Sequence, residues 1–307
     1  MKAAETTRRH LSHRRERRRT TGARMDGKLC VITGATSGVG LAAARRLAAG
    51  GADLVLVARN REKAEAVKAE LTAAYQVKAD VVIADFIRLS DVRNAAEEIR
   101  GRYPAVDVLI NCAGLFSPRR RTTEDGHEMT FQVNHLAGFL MTMLLLDRLL
   151  KSPQGRIIQV SSIGHRFGGL KPEDLDWQTR FYLWPRAYGA SKLAQLMTMQ
   201  TLAAQLKDTN VTINAVHPGI VGSNIVQYCG ALIRWLTQKL KRMLFKNPAT
   251  AGEVLYYLAA APELGRVTGR YFNLTAEQAP ASAAQDKALC ARIWAKSLEL
   301  TGLPRTL

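Results

Sequence analysis

The sequence is poor in cysteine, and its four cysteines lie far apart. Cys30, Cys112, Cys229 and Cys290 form no CxxC pair, and two of them fall within apolar, strand-like runs. Paired, closely spaced cysteines are the usual sign of a zinc site or a disulfide framework. The spacing found here therefore argues against a zinc site and is typical of a protein from a reducing compartment.

A long hydrophobic run is also missing. The longest apolar run, residues 139–146, is much shorter than the roughly 20 residues that a membrane-spanning helix needs. No apolar stretch follows the basic N-terminal residues to form a signal peptide. We therefore expect a cytoplasmic protein without a membrane span, one that can still contact a membrane surface peripherally.

Acidic residues are few relative to basic ones. The 307 residues include 44 Lys and Arg but only 26 Asp and Glu, which gives a formal net charge of +18. Residues 1–24 hold nine of these Lys and Arg with two Glu and almost no apolar residue, so we expect a disordered tail. Because Met25 directly precedes a strand-like run, this tail either lies upstream of the true start or forms a passive arm. Binding of nucleic acid or anionic lipid by the tail is a weaker interpretation, since charge runs are usually solvated.

From residue 28 onward, short β-branched runs alternate regularly with helical segments. The hydrophobic content of 47% suffices for a large core, and the alternation predicts a doubly wound, Rossmann-type α/β fold with a seven-stranded parallel sheet. Residues 25–307 would form a single domain, with ligands bound outside the carboxyl ends of the strands. The predicted strands are 28–35, 53–59, 78–85, 106–114, 155–162, 211–219 and 270–274.

A glycine-rich turn, TGATSGVG, directly follows the first predicted strand. It places Gly34, Gly38 and Gly40 where the chain turns into a helix, and a Cβ at such positions would obstruct both the turn and the approach of a ligand. The free N–H groups and the dipole of the helix N-terminus favour a pyrophosphate. With a strand before it and a helix after it, this turn predicts a dinucleotide site.

The end of the second strand, LVLVARN, addresses which dinucleotide binds. An acidic residue there would accept hydrogen bonds from the 2′-hydroxyl of a ribose, but Ala58 occupies that place and Arg59 follows it. The planar guanidinium is suited to a 2′-phosphate. The pattern therefore favours NADP(H) over NAD(H), and the alternative is that Arg59 only solvates a loop.

Tyr188 and Lys192 stand four residues apart in the segment RAYGASKLAQ. On a helix this spacing places both side chains on one face. A lysine ammonium there can lower the pKa of the tyrosine, which helps the phenol exchange a proton with a carbonyl or an alcohol. The pair is therefore a candidate catalytic pair, although the spacing alone also arises by chance.

Together with NCAG, QVNHLAG, VSS and HPG in the same order, these motifs resemble the short-chain dehydrogenase/reductase family over roughly residues 26–302. The long stretch between VSS and YGASK, which contains EDLDW, is similar to the branch of the retinol dehydrogenases and the oxidoreductase domain of WW-domain oxidoreductases. The C-terminal sequence TGRYFNLTAEQAP…ARIWAKSLELTGL is similar to the same branch. The resemblance implies a Rossmann fold with an appended substrate lid, here at about residues 220–247.

The resemblance also implies roles for individual residues. Tyr188 would exchange the proton, Ser162 would polarise the reacting oxygen, Lys192 would also hold the nicotinamide ribose, and Asn134 would orient a water beside Lys192. Asn111 would brace the sheet. The implied cofactor contacts are Gly34, Ser37, Gly38, Val39, Gly40, Arg59, Asp85, Phe86, Asn111, Ala113, Gly114, Tyr188, Lys192, Pro218, Gly219 and Val221.

The expected activity is transfer of hydride between NADP(H) and a carbonyl or alcohol, with no metal. The histidines are scattered without ligand spacing, and of these His165, three residues after Ser162, could border the substrate instead of being structural. The alternatives are a non-catalytic NADP(H)-binding scaffold and a nucleic-acid binder that acts through the basic tail.

The residues after HPG are unusually apolar for a loop. Ile233, Leu236, Leu240 and Met243 recur at roughly helical spacing, with basic residues between them. They predict either a lid over a lipophilic substrate, able to touch an anionic membrane, or a helix that packs on its own core. A second apolar segment, residues 135–150, needs cover and slightly favours a homodimer over a monomer.

Overall fold

One eight-stranded sheet organises the fold, in the order β3-β2-β1-β4-β5-β6-β7-β8. The computed structural model describes residues 19–219 and 248–304, so the predicted lid, with Val221, lies outside the described residues. All seven predicted strands are present and run parallel. The strands are β1 (Leu29–Thr33), β2 (Asp53–Ala58), β3 (Ala79–Ile83), β4 (Val108–Asn111), β5 (Gly155–Val160), β6 (Val211–His217), β7 (Tyr271–Asn273) and β8 (Ala276–Gln278).

The prediction of seven strands was wrong by one, because β8 pairs antiparallel with β7 at the sheet edge. The turn between them contains Leu274, whose φ of 58° is unusual for a residue other than glycine. Nothing in the sequence marks this turn, since it lacks the Asn-Gly or Gly residues that normally signal a tight hairpin. With three residues of low strand propensity, β8 gives no alternating pattern.

Helices cover both faces of the sheet, as a doubly wound fold requires. Apolar residues of α1, α2 and α8 pack on one face, and those of α3, α5, α7 and α9 pack on the other. The helices are α1 (Gly38–Ala49), α2 (Arg61–Tyr75), α3 (Leu89–Arg102), α4 (Met129–Phe131), α5 (Ala137–Leu144), α6 (Leu146–Leu150), α7 (Trp184–Gln205), α8 (Pro248–Ala260) and α9 (Lys287–Leu300).

The order of the strands reverses between β1 and β4, which are neighbours in the sheet. The connections that leave their carboxyl ends diverge to opposite faces, so a crevice opens there. Thr33, at the end of β1, holds the two strand ends together because its Oγ1 accepts hydrogen bonds from the N–H groups of Cys112 and Ala113 at 2.9 and 3.0 Å. The fold thus places its ligand crevice directly above β1 and β4.

Residues 19–25 pack along the face formed by α1 and α8. The Tyr256 hydroxyl of α8 donates a 2.5 Å hydrogen bond to the carbonyl of Ala23, and the Arg19 N–H donates to Thr275 Oγ1 at 2.6 Å. Met25 is buried, and its N–H donates to the carbonyl of Gly50 at 2.9 Å. The expectation of disorder up to residue 24 is therefore wrong for residues 19–24, because main-chain groups anchor a segment that lacks apolar side chains. The rest of the tail lies outside the described residues.

The C-terminal helix α9 covers the apolar segment 135–150. Trp294 of α9 packs edge to face on Phe139, with ring centroids 5.1 Å apart. His135 Nε2 lies 2.8 Å from the Ser297 hydroxyl, and both side chains are buried. This segment therefore obtains cover from within the chain. Across residues 19–219 and 248–304, no helix is both long enough and apolar enough to span a membrane.

Candidate active site

A cleft of about 470 Å³ lies above the carboxyl ends of β1, β2, β4, β5 and β6. Its walls contain most of the residues that the sequence motifs singled out. From the predicted set, the lining residues are Gly34, Ser37, Val39, Gly40, Arg59, Asp85, Phe86, Ala113, Gly114, Ser162, Tyr188, Lys192, Pro218 and Gly219. The structure thus brings together residues from Gly34 to Gly219 at the predicted edge of the sheet.

Two glycines of the TGATSGVG turn are required by close backbone approach. Gly34 has a φ of 71°, and a Cβ on it would lie 3.0 Å from the Cα of Ala113 in the loop after β4. A Cβ on Gly40 would overlap the carbonyl oxygen of Gly34. The turn can therefore pack closely at the N-terminus of α1, where free N–H groups can receive a pyrophosphate. The turn fits a dinucleotide.

The opposite end of the cleft carries basic side chains. Arg59 follows Ala58 at the end of β2, and Lys63, in the first turn of α2, also lines the cleft. Asn60 caps α2 by accepting the Lys63 N–H at 2.8 Å, which fixes that turn next to the cleft. The sequence motifs did not point to Lys63, because the direction of its side chain depends on the residue at which α2 begins. Two cations in this wall of the cleft suit a phosphate.

Tyr188 and Ser162 form the reactive end of the cleft. Ser162 follows β5 and caps the 3₁₀ helix Ile163–Phe167, with its Oγ accepting the N–H of Gly164 at 3.1 Å. The pKa of Tyr188 is raised because burial disfavours the phenolate, while a hydrogen bond shared with Ser162 acts in the opposite direction. The two hydroxyl groups are thus placed to bind one oxygen atom of a substrate together.

Lys192 lies one helical turn after Tyr188 on α7, as the spacing predicts. Its ammonium donates to the carbonyl of Val160 at 3.0 Å and lies 5.8 Å from the centre of the Tyr188 ring. Burial lowers the pKa of Lys192 to about 8. Burial dominates the pKa of Tyr188 in this structure, where the ammonium is bonded to Val160, so a lowering of that pKa by Lys192 stays a prediction.

Asn134 sits behind Lys192 in a π-helical turn, Gln132–Leu136, between α4 and α5. Its Oδ1 accepts the N–H of Leu115 at 2.7 Å, and its Nδ2 donates to the Ser191 hydroxyl at 3.0 Å. Gln195 donates to its main-chain carbonyl at 2.8 Å. Asn134 thus links the loop after β4 to α7, close to the cleft but not in its wall.

Three more predicted positions lie behind the wall or elsewhere. Gly38 starts α1 but does not line the cleft, and Asn111 is buried at the end of β4, where it donates to Thr142 Oγ1 at 2.7 Å. The suggestion that His165 borders the substrate is wrong, since its side chain is buried outside the cleft. No pattern in the sequence distinguishes such a buried histidine from one that faces a ligand.

Aromatic side chains lie near Tyr188 and in the segment that precedes it. Phe116 stacks on Trp184 with centroids 4.9 Å apart and meets Tyr188 edge on at 6.3 Å. Phe167 and Phe181 are 54% and 82% exposed, and both belong to the segment that leads from Ser162 to α7. Stacked and exposed aromatic rings are therefore present in the chain segments next to Tyr188.

A dinucleotide cleft of this type, ending at a Ser, a Tyr and a Lys, defines a class of nicotinamide-dependent oxidoreductases. A model of the short chain dehydrogenase family matches residues 28–231. The chain belongs to the short-chain dehydrogenase/reductase family, in the branch of the retinol dehydrogenases. It is accordingly an oxidoreductase acting on alcohol or carbonyl groups.

Individual relatives span nearly the whole chain. Human retinol dehydrogenase 13 is 38% identical over 92% of this chain and 86% of its own length. Human retinol dehydrogenase 14 is 36% identical over 91% of this chain and 88% of its own. A short chain dehydrogenase from Burkholderia cenocepacia, solved in complex with NADP, is 26% identical, with a TM-score of 0.65 over 82% of this chain and 97% of its own.

Proposed function

We propose that this protein uses NADP(H) to interconvert a carbonyl and an alcohol on a small lipophilic substrate. The observation that carries the proposal is the convergence of Ser162, Tyr188 and Lys192 on one end of the dinucleotide cleft. The nicotinamide, when bound, supplies or accepts the hydride. NADP(H) rather than NAD(H) is supported by Arg59 and Lys63 at the other end of the cleft, beside Ala58.

In the proposed reaction, the phenol of Tyr188 gives a proton to the carbonyl oxygen as it becomes an alcohol, and takes one in the reverse direction. Ser162 donates a hydrogen bond to the same oxygen and stabilises the charge that develops on it. Lys192 holds its positive charge beside both groups and the nicotinamide ribose. Asn134 keeps the Lys192 surroundings in place through Leu115 and Ser191.

A lipophilic substrate is supported by the aromatic rings in the chain segments next to Tyr188. The stacked rings of Phe116 and Trp184 and the exposed rings of Phe167 and Phe181 offer area for burying apolar surface, at roughly 25 cal/mol per Å². The retinol dehydrogenases to which the chain is similar act, by their names, on an apolar alcohol. The same rings could rest against a membrane surface peripherally.

Helix α9 removes the reason for expecting a homodimer through residues 135–150. Phe139, the ring that needed cover, already packs on Trp294 of the same chain. We therefore infer that the protein does not pair through this face. Most of the basic tail lies outside the described residues, and the main chain of Arg19 and Ala23 is bonded to the domain.

The decisive experiment is a screen of aldehydes, ketones and alcohols of increasing apolar length with NADPH, NADP, NADH and NAD, followed by absorbance of the reduced nicotinamide. Turnover that is faster with the phosphorylated cofactors and increases with apolar length is the expected result. Binding of NADPH without turnover of any substrate would instead favour the non-catalytic scaffold.

A further inference from the structure

His165 is a fully buried histidine that connects the reactive end of the cleft to the C-terminal part of the chain. It lies in the 3₁₀ helix that begins directly after Ser162. Its Nδ1 is 2.6 Å from the carbonyl oxygen of Ser162, and its Nε2 is 3.1 Å from the main-chain nitrogen of Ala281. The ring packs edge on against Tyr271 of β7, with centroids 4.8 Å apart. No ring atom is therefore left to face a ligand.

These two contacts determine the tautomer of the ring. The main-chain N–H of Ala281 can only donate, so Nε2 must be the unprotonated acceptor. The carbonyl of Ser162 can only accept, so Nδ1 must carry the proton. His165 is thus a neutral imidazole with its proton on Nδ1. Burial, which lowers the pKa of His165, agrees with the neutral state.

The bond from His165 acts on the main chain of Ser162, whose side chain points to Tyr188. The carbonyl of Ser162 also receives the main-chain N–H of His165 at 3.2 Å, so this residue holds the same oxygen twice. The other end of the connection is itself fixed, because Arg166 donates to the carbonyl of Ala279 at 2.5 Å. The peptide of Ser162 is therefore attached to the segment 279–281 as well as to the sheet.

We propose that His165 is a positioning residue, whose Nδ1–H holds the Ser162 main chain so that the Ser162 hydroxyl points at the reacting oxygen beside Tyr188. The proposal rests on the proposed function, because it assigns Ser162 to that oxygen. His165 touches neither substrate nor cofactor and acts through Ser162 alone. An error of about 1 Å in the position of such a group can cost roughly a hundredfold in rate.

Two conservative variants separate positioning from a merely structural role. In His165→Asn, Nδ2 takes the place of Nδ1 and keeps the donor to Ser162, but the acceptor for Ala281 is lost. In His165→Gln, Oε1 takes the place of Nε2 and keeps the acceptor for Ala281, but the donor to Ser162 is lost. If His165 positions Ser162, the Asn variant keeps kcat within about threefold and the Gln variant loses roughly tenfold to a hundredfold. KM for NADPH should not change in either variant.

A purely structural role predicts a different outcome, in which kcat follows the thermal unfolding midpoint and the two variants lose it alike. That result, or a Gln variant as fast as the wild type, would overturn the proposal. Crystal structures of both variants provide a readout that needs no turnover: the Ser162 Oγ should move away from Tyr188 in the Gln variant and stay in the Asn variant. If the wild type turned over no substrate, the proposed function would be wrong. The position of the Ser162 Oγ in the two variant structures would still show whether His165 positions it.

Discussion

The ammonium of Lys192 donates a 3.0 Å hydrogen bond to the carbonyl of Val160, the last residue of β5. The side chain is only 4% exposed, and burial lowers its pKa from 10.5 to about 8. A group held in this way is close to half charged in a mildly alkaline solution. Both the stability of the protein and its chemistry should therefore change in that pH range.

The first prediction concerns stability. Between pH 8 and 10.5 Lys192 binds more protons in the unfolded chain than in the folded one, so its contribution to the free energy of unfolding rises with pH. Lys192→Met removes this titration. Relative to Lys192→Met, the wild type should therefore gain about 3 kcal/mol of unfolding free energy over that range. Urea unfolding of the cofactor-free proteins measures it, and a pH-independent difference would contradict a depressed pKa.

Removing one oxygen atom tests the proposed proton donor. Tyr188→Phe keeps the packing of the ring against Phe116, so folding and NADPH affinity should stay nearly unchanged. Turnover should fall by roughly 10²- to 10⁴-fold, as for other lost general acids. Steady-state kinetics with an accepted carbonyl substrate measure the effect, and Tyr75→Phe on the surface of α2 is the control. A Tyr188→Phe variant that keeps more than about a tenth of the turnover would refute this role, since tenfold is only about 1.4 kcal/mol of barrier.

Cofactor choice is tested at Arg59 and Lys63. Each cation should contribute a charge-assisted contact to the 2′-phosphate of about 1.5 to 3 kcal/mol, so Arg59→Ala and Lys63→Ala should each weaken NADPH binding roughly tenfold to a hundredfold. NADH affinity should be nearly unaffected, because it lacks that phosphate. Lys68→Ala is the matched control, since Lys68 is on the same helix but lies 4.0 Å from Asp80, outside the cleft. Fluorescence titration that finds equal losses for both cofactors would count against a phosphate contact.

The glycine turn can be tested against a glycine in open space. Gly40→Ala places a Cβ on the carbonyl oxygen of Gly34, so the turn must distort and both NADPH affinity and the thermal midpoint should fall. Gly101→Ala, near the end of α3, meets no atom within 4 Å and should leave affinity unchanged, with a stability gain of up to about 1 kcal/mol. Calorimetry and titration of the pair measure both effects. Normal cofactor affinity in Gly40→Ala would show that the close approach is not needed.

The N-terminal anchor predicts that residues before Met25 contribute to folding. A protein that starts at Met25 loses the acceptor for the Tyr256 hydroxyl and should be less stable than the full chain. Tyr256→Phe should cost about 1 kcal/mol in the full chain and clearly less in the shortened one, where that bond is already absent. Chemical denaturation of all four proteins completes the cycle. The same cost in both backgrounds would mean that Ala23 is not the partner.

The sequence predicted those parts of the fold that repeat a local pattern. Strands β1 to β7 and the Tyr188 and Lys192 pair follow from periodicity and from spacing along a helix. β8 could not be predicted, because three residues after an unmarked turn carry too little pattern. Residues 19–24 were mistaken for disordered chain because main-chain hydrogen bonds do not depend on side-chain type.

The candidate site divides in a similar way. Glycines at a strand-to-helix turn carry a local signal, whereas Thr33 and Lys63 acquire their places only when β1, β4 and α2 are set side by side. The role of His165 is harder still to predict, because its two partners are far apart in the sequence. Ser162 precedes it by three residues, whereas Ala281 follows it by 116. Contacts of that range belong to the tertiary structure and leave no trace in the spacing of residues.

The short antiparallel strand β8 also determines what the edge of the sheet offers to other molecules. An edge strand exposes unpaired main-chain groups and can serve as a template on which another chain aggregates. Here the edge is three residues long, and at its centre Glu277 is exposed and pairs with Arg270 at 3.3 Å. A second chain approaching this edge would meet charge and too few hydrogen-bonding groups to form a ladder. β8 thus protects this edge of a sheet rich in valine and isoleucine from pairing with another chain.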